Sequence, residues 1–273
     1  MRRYGNNQLT IFETTKPQTA EFDESELWDN MKSFIADFPD AQTELLPGLK
    51  WGTCYQLYTP AFWKLQYLMY PFTEDSSAHK IGTTLIEEVV QCILGGYGIP
   101  SEMGIMAFNR LREQELITGD VAFERIYEAL RAPFITDSGR AVKYRFANQK
   151  SYYIYDFLSR KDLKNIPCSN DLELRNWLID IKGIGPKTAS WITRNWLRSE
   201  RVAILDIHIL RAGMITGFFE KDLNINTQYF SLEARYLNFC NSLAVRPSDM
   251  DAIIWSYMKK NNKLALNILS NLD

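Results

Sequence analysis

Apolar residues recur at helical spacing along most of the chain. In "FDESELWDNMKSFIADF" Leu27, Met31, Phe34 and Ile35 keep that spacing behind an acidic start, which predicts a helix. In "GTTLIEEVVQCILGGYGIP" Leu85, Ile86, Val89, Val90 and Ile93 share a face until Gly95 and Gly96 stop the run. A further helix is predicted from Ser101, read as its N-cap, through Ala107, Phe108 and Leu111. "KSYYIYDFLSR" reads as helix. So does "SNDLELRNWLIDI", where Ser169 or Asn170 caps, Asp171 and Glu173 occupy the anion-favouring first turn, and Leu174, Trp177, Leu178 and Ile181 form one stripe. "TASWITRNWL" continues after a glycine turn with Ala189, Ile192 and Trp196 on a face, and "SDMDAIIWSYMKK" is a short helix capped by Ser248 or Asp249. The pattern fails in three places. Residues 1–24 are polar without a sustained period and read as an arm; "LLPGLKWGTCYQLYTPAFW", broken by Pro47, Gly48, Gly52 and Pro60, reads as turns with a short strand; and residues 116–145 read as two short helices split near Pro133 and Gly139. The expected fold class is all-α with minor β near the N-terminus.

Composition narrows the picture a little. The 273 residues, 46% hydrophobic and 13% aromatic, can bury a sizeable core. No stretch approaches the roughly 20 apolar residues of a membrane span. The opening "MRRYGNNQLT" has no apolar signal core behind its basic residues, so no membrane partner and a cytoplasmic location are expected. Cys54, Cys92, Cys168 and Cys240 lie too far apart for a metal knuckle or an iron–sulfur loop and read as free thiols. With only His79 and His208 available, a histidine-rich metal centre is not expected.

Charge changes the picture more. The net charge of −2 and pI near 5.9 argue mildly against a nucleic-acid partner. From Arg131 to Arg201, however, fourteen Lys and Arg face seven Asp and Glu, a balance of +7 that leaves −9 for the remainder. A basic segment in an acidic chain points to an anionic partner for that segment.

That segment holds "KGIGPK" between two predicted helices. Gly183 and Gly185 give a turn with little bulk and access to positive φ, and Ile184 between them can plug the helix crossing. The same corner leaves backbone N–H groups at the start of the next helix, a seat for a phosphate. Lys187 stands at that start, where the helix dipole works against its positive charge and favours the neutral amine, a nucleophile able to form a Schiff base. Nineteen residues later Asp206 follows the apolar run 202–205 in "VAILDIHIL". A buried, unpaired aspartate is unfavourable, so Asp206 caps the helix beginning at Ile207, serves chemistry, or does both.

"GIGPKTASWITRN" followed by "VAILDIHILR" resembles the helix-hairpin-helix DNA glycosylases, most of all their 8-oxoguanine branch; "RFANQKSYYI" at 145–154 is similar to the segment before the hairpin in that branch. The resemblance implies a two-lobed helical fold with a cleft between lobes. Its parts would be an arm at 1–24, a lobe built from 25–80 with 201–273, and a barrel lobe at 81–200 holding the hairpin at 171–197. It implies that Lys187 attacks the sugar C1′, that Asp206 is its electrostatic partner, and that His208 matches a histidine found beside that aspartate. The flipped base would lie between Trp191 and Trp255, with Asp251 reading its edge. Lys182, Gly183, Gly185 and Arg194 would grip DNA, and Tyr97 in "LGGYGIPSE" stands where many relatives fill the vacated stack with Gln or Asn. The segments before residue 80 and after Lys260 match nothing in this pattern.

The implied activity is that of a bifunctional DNA glycosylase and AP lyase of base excision repair, acting as a monomer on double-stranded DNA containing a modified base, without metal or organic cofactor. Two alternatives stay open: a glycosylase for another modified base, such as a phage hypermodified base, and a non-catalytic helix-hairpin-helix DNA-binding module. A helical protein-interaction domain would account for the tryptophans but not for Lys187 with Asp206.

Overall fold

The computed structural model describes residues 24–70, 80–96 and 98–272, so the expected N-terminal arm, His79 and Tyr97 lie outside the described residues. In chain order the helices are α1 (Glu24–Ala36), α2 (Pro60–Leu68), α3 (Leu85–Leu94), α4 (Ser101–Glu113), α5 (Phe123–Arg131), α6 (Ala147–Leu158), α7 (Asp171–Ile179), α8 (Pro186–Leu197), α9 (Ile207–Thr216), α10 (Ile225–Ser242), α11 (Pro247–Lys260) and α12 (Asn262–Ser270). Two small antiparallel hairpins accompany them: β1 (Glu44–Leu46) with β2 (Leu49–Lys50), and β3 (Phe134–Ile135) with β4 (Ala141–Val142). The protein is all-α in class. None of the described helices is long and apolar enough to cross a membrane.

Local chemistry explains where several helices begin. Asn170 caps α7, its side chain accepting from the N–H groups of Leu172 and Glu173. Thr84 caps α3 by accepting from Glu87 N, while the Glu87 carboxylate takes the N–H and hydroxyl of Thr83. Pro60, expected to break structure, instead starts α2: it stands at the first helical position, where no N–H is needed, behind the Thr59 hydroxyl that accepts from Phe62 N. Three other expectations are corrected. Residues 116–145 form one helix, α5, and the β3–β4 hairpin, whose turn contains Gly139 at φ +75°. Pro100 rather than Ser101 stands at the cap of α4. Ser248 and Asp249 lie in the first turn of α11, behind Arg246 and Pro247.

Among the described residues, contacts divide the chain into two compact units, one made of residues 80–192 and the other of residues 24–70 with 193–272. In the first, the buried faces of α3 (Val89, Ile93), α4 (Phe108, Leu111), α5 (Ile126, Leu130), α6 (Ile154, Phe157), α7 (Leu174, Leu178) and the start of α8 (Ala189, Ile192) form the core. Arg110 closes the end of α5: its guanidinium donates to the carbonyls of Ala129, Ala132 and Pro133 and stacks 3.4 Å above the Phe134 ring.

The second unit joins distant parts of the chain in one core. Trp51, Phe62 and Trp63 pack with Ile209, Tyr236, Phe239, Ile254 and Met258. Trp63 Nε1 donates to the Thr216 hydroxyl at 2.9 Å. Lys64 donates to the carbonyls of Leu243 and Ala244 at 2.8 and 3.1 Å, satisfying the end of α10, the longest described helix at 18 residues.

Candidate functional site

The turn between α7 and α8 is built as its sequence dictates at one glycine and not at the other. Gly183 has φ +89°, and a Cβ there would come within 2.5 Å of the Tyr153 ring, so neither the backbone conformation nor the space admits a side chain. Gly185 has nothing within 4 Å of where its Cβ would stand; packing does not require glycine at that position. Ile184 between them is buried and fills the corner, its N–H donating to Ile181 O. Among the described residues, no acceptor takes up the backbone N–H groups of Gly183, Gly185 or Lys187. Unbonded donors at and just before the start of a helix suit an anion.

Lys187 is the second residue of α8 and is exposed. Trp191, one turn on, is half-buried, and Arg194 follows at the next turn, so the three share one face of the helix. Lys182, expected to attract DNA, is engaged within its own unit: its ammonium bonds Asp156 at 2.7 Å and the Tyr152 hydroxyl at 3.0 Å, and the Asp156 carboxylate holds its pKa up. Arg194 is corrected more strongly. Expected on a DNA-facing surface, it is 7% exposed and forms a buried ion pair with Asp251, itself 8% exposed. A buried guanidinium needs such a partner, and the pair ties α11 to the C-terminal half of α8 inside the second unit.

Asp206 is reached through a sealed segment. Val202, Ala203, Ile204 and Leu205 are all buried, and side chains of α10 meet the backbone groups of Ala203 and the N–H of Leu205. Glu233 accepts from Ala203 N at 2.8 Å; the Tyr229 hydroxyl donates to Ala203 O at 2.8 Å and accepts from Leu205 N at 3.4 Å. Asp206 then caps α9, one carboxylate oxygen accepting from His208 N and Ile209 N at 2.8 and 2.9 Å. The other oxygen takes no hydrogen bond among the described residues. The cap therefore occupies half of the carboxylate and leaves half for another cation.

Trp255 lies one turn beyond Asp251 on α11 and is half-buried. The His208 ring meets it edge-on, centroids 6.2 Å apart, and Lys259 Nζ sits 4.6 Å from its centroid. Of the residues singled out from sequence, the first unit thus holds Lys182, Gly183, Gly185, Lys187 and Trp191, and the second holds Arg194, Asp206, His208, Asp251 and Trp255. Tyr97 is outside the described residues. Sequence reading missed Tyr229, Glu233 and Lys259. The first two recur at helical spacing with Tyr236 and Cys240, a signal that their polar character disguised. Among the described residues, no group of three or more His, Cys, Asp and Glu could hold a metal ion.

Comparison with known proteins places the chain. The family model described as 8-oxoguanine DNA glycosylase (Ogg-HhH) matches residues 71–245. An 8-oxoguanine DNA glycosylase/AP lyase of Metallosphaera sedula is 32% identical over 127 residues, which cover 45% of this chain and 61% of that protein. One from Fusobacterium nucleatum is 29% identical over 123 residues, covering 41% of this chain and 56% of that one. The chain thus matches less than two thirds of the length of either relative. The solved 8-oxoguanine DNA glycosylase of Methanocaldococcus jannaschii aligns over 64% of this chain and 78% of that one, with 26% identity and a TM-score of 0.48. The segment matched by the family model contains the hairpin, Lys187 and Asp206, while Asp251 and Trp255 fall beyond it. With well over half of its length in that match, the chain belongs to the 8-oxoguanine DNA glycosylase family.

Proposed function

We propose that this protein is a bifunctional DNA glycosylase and AP lyase that rotates a damaged purine, 8-oxoguanine, out of duplex DNA and excises it through a Schiff base on Lys187. The observation that carries this reading is the exposed amine of Lys187, placed directly behind a glycine turn whose backbone donors have no acceptor among the described residues. Membership of the family and the activity named for the two relatives support it.

The turn is the proposed strand grip. The N–H groups of Gly183, Gly185 and Lys187 hold a backbone phosphate, and exposed cations such as Arg198 add sequence-independent attraction that weakens with salt. Rotating the nucleotide out of the stack requires a few kcal/mol. Stacking on Trp191 and Trp255, at about 1–3 kcal/mol per contact, offsets it. Asp251 reads the base edge with His208 nearby, and Tyr97 fills the gap left in the duplex. As the C1′–N9 bond breaks, its electron pair leaves with the base, which is protonated, and positive charge develops on the sugar. The unengaged oxygen of Asp206 is assigned to stabilise that charge. The neutral amine of Lys187 adds to C1′; ring opening gives an imine, and loss of a C2′ proton expels the 3′-phosphate. Lysine supplies the covalent chemistry, so the reaction as proposed uses no metal or organic cofactor. The protein is proposed to act as a monomer on DNA in the cytoplasm.

Borohydride reduction on duplex DNA containing 8-oxoguanine tests this. Wild-type protein should be trapped covalently and Lys187→Gln should not. An absence of adduct with wild type on both 8-oxoguanine and abasic DNA, or an undiminished adduct with the variant, would overturn the proposal. A panel of modified bases separates 8-oxoguanine from the other substrates the fold could serve.

A further inference from the structure

We infer that Arg194 is a specificity-determining positioning residue: it fixes the Asp251 carboxylate as a pure hydrogen-bond acceptor, so that the site favours a purine edge offering two N–H donors. This rests on the assignment of Asp251 as the reader of the base edge.

Arg194 Nη1 meets Asp251 Oδ2 between helices whose residues are 57 positions apart in sequence. Both side chains are nearly sealed, Asp251 at 11% exposure and Arg194 at 8%. Among the described residues, several titratable groups lie around the pair. On α10, burial holds the Tyr236 hydroxyl and the Cys240 thiol well above their ordinary pKa values, so both are neutral; Tyr236 spends its proton on Pro247 O at 2.8 Å. At the start of α11, Arg246 is committed to Glu200 at 2.8 Å and lies 3.7 Å from Asp249, whose carboxyl burial pushes up. The His208 ring stands nearly perpendicular to that of Trp255, with centroids 6.2 Å apart. The ion pair thus stands at the turn preceding the proposed stacking tryptophan, with the buried Asp249 carboxyl also within the field of Arg194.

As a structural tie such a pair is inefficient, since apolar residues of similar volume usually hold two helices as well or better. What the pair does, and an apolar contact cannot, is define hydrogen-bonding character. Arginine keeps its protons, so the carboxylate beside it has only lone pairs to offer. A guanine-type edge presents N1–H and an exocyclic N2–H. Hypoxanthine lacks the second donor, and adenine places a lone pair at N1. An anionic, acceptor-only reader discriminates against both.

The test uses the full-length protein on duplexes carrying 8-oxoguanine, 8-oxohypoxanthine, 8-oxoadenine or an abasic site. Each variant is normalised to its own borohydride trapping on abasic DNA, a step that needs no base reading. Wild type should excise 8-oxoguanine at least about tenfold faster than 8-oxohypoxanthine, the scale of one hydrogen bond to a charged group. In Arg194→Met that ratio should fall to about threefold or less and become pH-dependent. Without its cation the buried carboxyl titrates at higher pH, so discrimination should be weakest near pH 5.5 and grow toward about pH 8.5, whereas wild type should show no such slope. Arg194→Lys, which keeps the charge, should recover part of the ratio. If Arg194→Met does not fold, Arg194→Lys and Asp251→Asn carry the test, the second predicted to lose the ratio at every pH. A wild type without base preference, or an Arg194→Met protein with reduced melting temperature but undiminished selectivity, overturns the inference and makes the pair a structural tie. Failure of wild type to trap abasic DNA would instead strike the glycosylase reading itself.

Discussion

Lys187 and Asp206 both stand at the start of a helix, yet the chain brings them there by opposite means. Lys187 follows a turn with bare backbone donors and an exposed surface. Asp206 follows four buried residues, of which Ala203 and Leu205 are bonded by Tyr229 and Glu233 from another helix. The first environment is local and made of backbone; the second is assembled from afar and made of side chains. Substitutions of exposed side chains near the lysine should therefore change function with little change in stability, and substitutions supporting the aspartate should change stability first.

The largest effect tests the local side. Lys187→Gln should reduce strand cleavage on 8-oxoguanine DNA by at least about a thousandfold, because the covalent route is removed outright. Its stability in urea should stay within about 0.5 kcal/mol of wild type, as for most exposed positions. A large loss of stability would end the contrast. Next is Asp206→Asn, which keeps a competent cap but loses the charge: single-turnover excision should drop about 100–1,000-fold with stability nearly unchanged. Asp206→Ala should add a stability loss of about 1 kcal/mol for the missing cap. Gly183→Ala should destabilise by about 1–3 kcal/mol, since it combines a left-handed backbone with a clash against Tyr153. Tyr229→Phe should lose about 1 kcal/mol in urea unfolding by orphaning Ala203 O, with any fall in excision secondary. Gly185→Ala should be the mildest for folding, within about 0.5 kcal/mol, while DNA affinity measured by anisotropy falls. Equal affinities for Gly185→Ala and wild type would argue that no strand approaches that corner.

The same division decides what could be read from sequence. α3, α7 and α8 were legible because period and boundary signals agree: apolar stripes, an Asn170 cap, glycines at the ends. α2 was hidden by Pro60, a residue that breaks a helix interior but suits a first turn, and the two signals differ only through Thr59. α10 was hidden because its buried stripe includes Tyr229, Glu233 and Tyr236, polar residues whose partners lie in other segments. The β3–β4 hairpin has strands of two residues each, too short to show alternation. At the site, the glycine turn, Lys187 and the capping role of Asp206 could be read locally. The inward turn of Arg194 could not, since a charge reads as solvent-facing until the helix that neutralises it is in place.

The bond between Trp63 and Thr216 spans 153 positions of sequence. A ribosome adding about 5–20 residues per second needs roughly 8–30 s to bridge that interval. During synthesis the apolar surface of α2 must therefore wait, uncovered, while the whole of residues 80–192 emerges. The first unit can be complete before the second has its closing helices. A nascent chain halted after α8 is the species most exposed to aggregation or chaperone capture, and its vulnerability comes from the order in which the polypeptide is made.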